Sequence, residues 1–298
     1  MLCRLSALGG ALLLCAVAAA WALGCDARST AAGDKARVVS LSPNTTETAF
    51  ALGAAEQLVG RSRHCDYPRA ARALPAVGGF ADPSVEAIVG LSPTLVIGSQ
   101  SPAGPGLART LTAHRIDSYF PPTGSVDEIQ QMIRGLGERL GRPAQGDKLA
   151  AQVGRDVARI AAAASRAKRL RAVLLFDASP IVVAGPGGFP DELLRLAGGD
   201  NVITRGGAYP TVNIERLLAL DPDVVIDASA VGTGEMQDGA APGQRSQLVD
   251  RPGWSELRAS KEGRLRTLAG SAALRPGPRI ADGLAQIFAA LHGREPTP

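Results

Sequence analysis

The chain predicts an α/β protein of two similar lobes joined by a single long α-helix. Ser84 to Ile97 (SVEAIVGLSPTLVI) returns as Asn213 to Ile226 (NIERLLALDPDVVI), 129 positions later, with Glu, Leu, Pro and the closing apolar triplet at the same offsets. A unit repeated once at that distance is not a solenoid, which needs several short periods. Around both copies, β-branched runs alternate with helical stretches, the pattern of a parallel sheet. Between about Ala144 and Leu170 the strand signal vanishes, and Leu149, Val153, Val157 and Ile160 fall at helical spacing with one apolar stripe.

In order, Val38 to Leu41 is a strand, and Ser42-Pro43-Asn44-Thr45 turns into a helix ending at Gly53. Leu58 to Arg61 is a second strand, followed by an irregular stretch to Gly79. The first repeat is a helix that stops at Pro93, with Asp82 as its cap and Pro83 at its first position. Leu95 to Ile97 and Ile116 to Phe120 are strands with a helix near 106–114 between them. Ser125 and Glu128 form a capping box for a helix reaching Leu140. After the linking helix, strands follow at Ala172–Phe176, Ile181–Val183, Val224–Ile226 and Leu265–Leu268, with a last helix from Pro278 to Leu291. The expected organisation is a leader over 1–24, a tether over 25–36, lobes over 37–142 and 171–298, and the linking helix over 143–170.

The start of the chain is a targeting segment. Arg4 is the only charge before Asp26, and Leu5 to Ala22 is apolar apart from Ser6. The run is long for a secretion signal, and an uncleaved membrane anchor competes with it. Ala22-Leu23-Gly24-Cys25 resembles the lipobox of bacterial lipoproteins, in which Cys25 is lipidated and becomes the new N-terminus. Either way the body lies outside the cytoplasm. Cys65 is then the only thiol of the body, so stability rests on burial and not on disulfides. Loss of Arg4 takes the formal charge from +4 to +3, and aromatic residues make up only 4% of the chain. A nucleic-acid surface wants a basic face with stacking rings, and neither is present.

Several motifs invite stronger readings than they support. Gly185-Pro186-Gly187-Gly188 lacks the Lys-Ser/Thr of a phosphate loop, and Pro removes one cradling amide, so it reads as a strand-to-helix turn. His64, His114 and His292 sit in neither Gly-x-Ser-x-Gly nor His-Glu-x-x-His, and no nucleophile is paired with a base, so no enzyme is expected. His64, Cys65 and Asp66 are adjacent, whereas structural zinc sites use spaced pairs; His64 is expected to pack or line a cleft. Glu86 and Glu215 can be explained by the helix dipole alone. Their equivalent places, one acid per lobe, also allow a paired role.

Taken together, the residues resemble a known family. Arg37-Val38-Val39-Ser40-Leu41-Ser42-Pro43 with Thr46-Glu47, Val59 to Pro68 (VGRSRHCDYP), Leu74 to Gly79, both repeats, Gly198 to Val202, Pro252-Gly253-Trp254 and Arg275 to Arg279 (RPGPR) look like class III periplasmic binding proteins of bacterial importers. That group carries ferric siderophores, haem and cobalamin, and the Cys-Asp-Tyr-Pro and Gly-Pro-Arg segments look most like its cobalamin branch. The resemblance implies two Rossmann-like lobes with a ligand cleft between them. It implies a monomeric lipoprotein, with no cofactor of its own, on the periplasmic side of the cell membrane. It implies that Glu86 and Glu215 dock onto a permease dimer, which works with its ATPase subunits. By position, His64, Phe80, Tyr209 and Arg275 face the cleft, with Val182 and Ser271 as further candidates.

The ligand order implied is cobalamin or a related corrinoid, then a ferric siderophore, then haem. The best-known cobalamin binder of the family has a tryptophan-rich cleft, whereas Phe80, Ser99 and Tyr209 stand at those positions here. Arg61, Arg63, Arg205 and Arg275 would suit an anionic ferric chelate, and His64 or Tyr209 could reach a haem iron.

Overall fold

Val38–Ser40 (β1), Leu58–Arg61 (β2), Leu95–Ile97 (β3) and Asp117–Tyr119 (β4) form one parallel sheet in the order β2-β1-β3-β4. These elements belong to a computed structural model that describes residues 36–100, 104–229 and 245–297. The leader, Cys25 and the tether up to residue 35 lie outside the described residues. No helix among the described residues is long and apolar enough to cross a membrane.

Helices Pro43–Ala51 (α1), Val85–Gly90 (α2), Gly104–Ala113 (α3) and Val126–Arg139 (α4) accompany this first sheet. Alternate residues of its strands enter different cores, as a sheet covered on both faces requires. Val38 and Ile97 join α4 through Ile129, Met132, Ile133 and Leu136. Val39 and Val96 pack against Ile88, Leu107 and Leu111 on the other face.

The second sheet holds Leu170–Ala178 (β5), Ile181–Val183 (β6), Gly199–Asn201 (β7), Thr211–Val212 (β8), Val224–Asp227 (β9) and Leu265–Thr267 (β10), in the path β10-β9-β5-β6-β8 with β7 beside the start of β5. The β5–β9 and β9–β10 pairs are parallel, but β5–β6 and β6–β8 are antiparallel. Only Ser179 and Pro180 connect β5 to β6, too short for a crossover, so the pair must be a hairpin.

Pro143–Ala164 (α5) runs between the two sheets. It stops six residues short of the expected end at 170, because Leu170 and Arg171 are drawn into β5 alongside Gly199 and Asp200. It crosses α4 closely: a Cβ on Gly137 would stand 2.9 Å from Gly146 Cα. Val153, Val157 and Ile160 of α5 share one continuous core with β1, β5, β9 and the C-terminal helix Ile280–His292. A shared core of this kind makes the connection stiff. Trp254 is buried in a separate cluster with Leu217, Val225 and Leu257.

The repeat is structural as well as textual. Ser84 accepts a hydrogen bond from the Ala87 amide at 3.1 Å, and Asn213 accepts one from Arg216 at 2.9 Å, capping α2 and Ile214–Leu220 (α7) at matching positions. Each copy then ends in a left-handed residue before its proline, Ser92 at φ 47° and Asp221 at φ 42°. The expected Asp82 cap is not formed. Asp82 is taken by the Arg63 guanidinium, with contacts of 2.9 and 2.8 Å, and Pro83 bridges to Gly78 outside the helix. Ser125 caps α4 as expected, but Glu128 reaches back to the Gly124 amide, one residue earlier than a capping box requires.

Candidate functional site

The C-terminal ends of β1 and β3 open into a cavity of about 630 Å³, inside the roughly 300–1,000 Å³ range of small-molecule sites. Parallel sheets place ligands at this edge because the helix N-termini and connecting loops converge there. Eight wall residues come from the first lobe, up to Gly124, and eight from the second, from Gly187 onward.

The first lobe supplies a polar floor. Ser42 and Asn44 follow β1, Ser99 and Gln100 follow β3, and all four line the cavity. Ser42 Oγ donates to Asn44 Oδ1 at 2.7 Å and accepts from the Ser99 amide at 2.9 Å. Asn44 Nδ2 lies 2.8 Å from Ser99 Oγ and 3.0 Å from the Pro276 carbonyl, so it ties the floor to the second lobe. That crossing is tight: a Cβ on Gly277 would meet Asn44 Cα at 3.2 Å.

The walls are mostly apolar. Phe80, Phe189, Leu274, Pro43 and Pro276 surround the opening, and Tyr209 stands half out of the surface at 52% exposure. The Tyr209 ring is braced by Phe176 at 5.3 Å between centroids, tilted 59°. Gly187, at φ 88°, and Gly188 bring bare backbone to the wall just before Phe189–Leu196 (α6).

Arg275 is the only side chain charged at neutral pH among the described wall residues. It is not free. Its Nη1 lies 3.0 Å from Glu47 Oε1 and 2.7 Å from Asp66 Oδ1, the second an ion contact without good hydrogen-bond alignment. Glu47, on α1, is 2% exposed at its side chain and also receives Arg279 through both oxygens, at 2.8 Å each. Arg279 in turn lies over the Tyr67 ring, 3.8 Å from its centroid. Two arginines of the second lobe therefore face two carboxylates of the first. Burial alone would raise the Asp66 carboxyl, but the Arg275 contact and charge outweigh it and hold it below the usual range. Arg275 is desolvated by burial, yet Asp66 and Glu47 raise its guanidinium further above its ordinary value.

Across the opening, a second tie joins the lobes: the Val126 amide at the start of α4 donates to Glu192 of α6 at 2.8 Å. A carboxylate there also suits the helix dipole.

The structure thus brings Phe80, Tyr209 and Arg275 together in one cavity. His64 is exposed and absent from its walls, as are half-buried Val182 and buried Ser271. Asn44, Gln100, Thr123 and Phe189 were not singled out as site residues by sequence, and Gly187 and Gly188 were read only as a strand-to-helix turn. Asn44, Gln100, Thr123 and Gly187 lie three or four residues beyond the ends of β1, β3, β4 and β6, a position just past a strand end that could have found them. Arg61, Arg63 and Arg205 are also absent from the walls; Arg63 is spent on Asp82, and Arg61 donates to the Ser62, Arg63 and Arg72 carbonyls. Glu86 and Glu215 are both exposed, and neither makes an ion pair among the described residues. No group of three His, Cys, Asp or Glu side chains gathers as a metal site among the described residues.

A family model described as periplasmic binding protein matches residues 38–272. The vitamin B12-binding protein of Vibrio cholerae serotype O1 is 27% identical over 253 residues, covering 84% of this chain and 87% of its own. The crystal structure of the periplasmic vitamin B12 binding protein BtuF of Vibrio cholerae aligns with a TM-score of 0.72 at 27% identity, covering 86% of this chain and 97% of that one. The periplasmic heme-binding protein BhuT, in complex with two hemes, aligns with a TM-score of 0.74 at 27% identity, over 86% of this chain and 97% of its own. The chain belongs to the periplasmic binding protein family, whose members act outside the cytoplasm.

Proposed function

We propose that this periplasmic binding protein captures cobalamin or a related corrinoid between its lobes and delivers it to the permease of an ABC importer. The observation that carries the ligand class is the charge balance of the cleft. Arg275, the one cationic residue among the described wall residues, already faces Glu47 and Asp66, which suits a large neutral ligand better than an anionic one. Phe80 and Tyr209 offer ring faces to a macrocycle, while the Ser42–Asn44–Ser99 floor offers donors and acceptors to its amide fringe. The B12-binding relatives support the same ligand. The ferric siderophore option loses support because Arg61, Arg63 and Arg205 stand away from the walls.

The lobes over 37–142 and 171–298 act as rigid units, Cys25 carries the lipid that holds a monomer at the membrane, and Glu86 and Glu215 offer exposed carboxylates to cationic pockets of a permease dimer driven by its ATPase subunits. Reversing both glutamates to Arg is expected to abolish uptake with ligand affinity unchanged. A collapse of affinity would instead make them part of the site or the fold.

The ligand is tested by calorimetry with cyanocobalamin, a ferric catecholate, a ferric hydroxamate and haemin. Cyanocobalamin is expected to bind most tightly, with a larger loss from Tyr209→Ala than from His64→Ala, because only Tyr209 lines the cavity. Failure to bind any corrinoid at micromolar concentration overturns the assignment. Haem is the second reading, favoured by the half-exposed Tyr209 at the cleft and by the similarity to BhuT. It requires a Soret shift with haemin that Tyr209→Phe abolishes.

A further inference from the structure

The two carboxylates that meet Arg275 differ in what else they hold. Glu47 is matched by Arg279 through both oxygens, and Arg275 touches only the oxygen it shares with Arg279 Nη2. One carboxylate facing two guanidinium groups leaves an excess positive charge at the cleft wall. Asp66 cancels it, at 2.7 Å from Arg275 Nη1. Asp66 comes from the irregular segment after β2, is 22% exposed at its side chain, and does not line the cavity itself. It has no other ion pair among the described residues. Its neighbour Tyr67 lies under Arg279, so the segment is placed by the same cluster.

We propose that Asp66 is the specificity-determining residue of this cleft: by balancing Arg275 it admits neutral chelates and turns away anionic ones. The inference rests on the proposed chelate site and names what sets its selectivity. Asp66 acts through Arg275 and is a positioning residue. With Asp66 in place Arg275, Arg279, Glu47 and Asp66 sum to zero, with the exposed Arg72 outside this set on the backbone carbonyl of Asp66. A multiply negative ligand at the wall therefore gains little net attraction from Arg275 while its own desolvation cost remains. With Asp66 neutralised, Arg275 presents an unbalanced charge inside a low-dielectric recess, where a nearby anion feels it strongly.

The test compares cyanocobalamin with a ferric tris-catecholate on the folded protein, at low and high salt. Wild type is expected to bind the catecholate weakly and with little salt dependence. Asp66→Asn is expected to strengthen catecholate binding by about tenfold at low salt, a gain that high salt removes. Cyanocobalamin affinity should stay within about threefold, since a neutral ligand draws little on that charge. Asp66→Ser must move catecholate binding in the same direction, and adding Arg275→Met to Asp66→Asn must return it to the wild-type value. Unchanged catecholate affinity in both Asp66 variants overturns the proposal, and so does a gain that survives Arg275→Met. A steep salt dependence of catecholate binding in the wild type overturns it without any variant. If wild type binds no corrinoid while Asp66→Asn still gains salt-sensitive catecholate binding, the ligand assignment falls and the role of Asp66 stands.

Discussion

Glu47 and the pair Glu86 and Glu215 are the same side chain in opposite settings. Glu47 is 2% exposed and held by two arginines from the other lobe. Glu86 and Glu215 occupy first turns of α2 and α7, exposed and without an ion pair among the described residues. A buried carboxylate with partners on the far lobe is bound up with the fold and the spacing of the lobes. An exposed one at a helix start contributes a few tenths of a kcal/mol through the dipole and remains available to a partner. Position in the chain does not separate these roles; the surroundings do.

The largest expected effect falls on Glu47. Glu47→Ala leaves Arg279 and part of Arg275 uncompensated in a buried site, and a loss of about 3–5 kcal/mol is expected from chemical denaturation. A loss near zero would place the cluster in effectively open water and remove the distinction between the two settings.

Tyr209→Ala comes next, and acts on binding. The residue is already half exposed, so stability should change by less than about 1 kcal/mol while ligand affinity falls by roughly tenfold, measured by calorimetry.

The pH profile sharpens the comparison. Asp66 is held below its ordinary range: burial pushes it up, and the Arg275 contact more than reverses this. A depressed carboxylate adds stability that is fully present above its unfolded value, about pH 3.9, and that is lost as pH falls through the lower folded value. Unfolding midpoints should therefore be flat through neutrality and drop in acid, with a smaller drop in Asp66→Asn. An equal drop in that variant would assign the acid sensitivity elsewhere.

The smallest effect on the fold is expected at the repeat. Glu86→Arg and Glu215→Arg should each change stability by less than about 0.5 kcal/mol, as exposed substitutions away from partners do. A larger loss would show that these acids stabilise their helices beyond the dipole.

Much of the fold was legible because it is written locally. Pro93 and Pro222 stop both repeat helices, short apolar runs mark β1, β3, β5 and β9, and the stripe Val153, Val157, Ile160 marks α5. The second sheet's antiparallel edge was missed: the expected strand ended at Phe176 in a parallel sheet, whereas β5 runs on to Ala178 and turns back into β6 over two residues. The Asp82 cap failed because a distant guanidinium competes for the same carboxylate. The site was less legible for the same reason. Glu47 meets Arg275 and Arg279 across 228 and 232 positions, a pairing that local pattern cannot express. Asn44 and Gly277 approach only because the lobes fold together.

On the proposed function, the charge-balanced cleft holds a neutral corrinoid. The most direct measurement is the affinity of the wild-type protein for cyanocobalamin across ionic strength, by calorimetry. Binding at one site, micromolar or tighter and nearly independent of salt, is the predicted result. Absence of binding, or an affinity that falls steeply as salt rises, would contradict it.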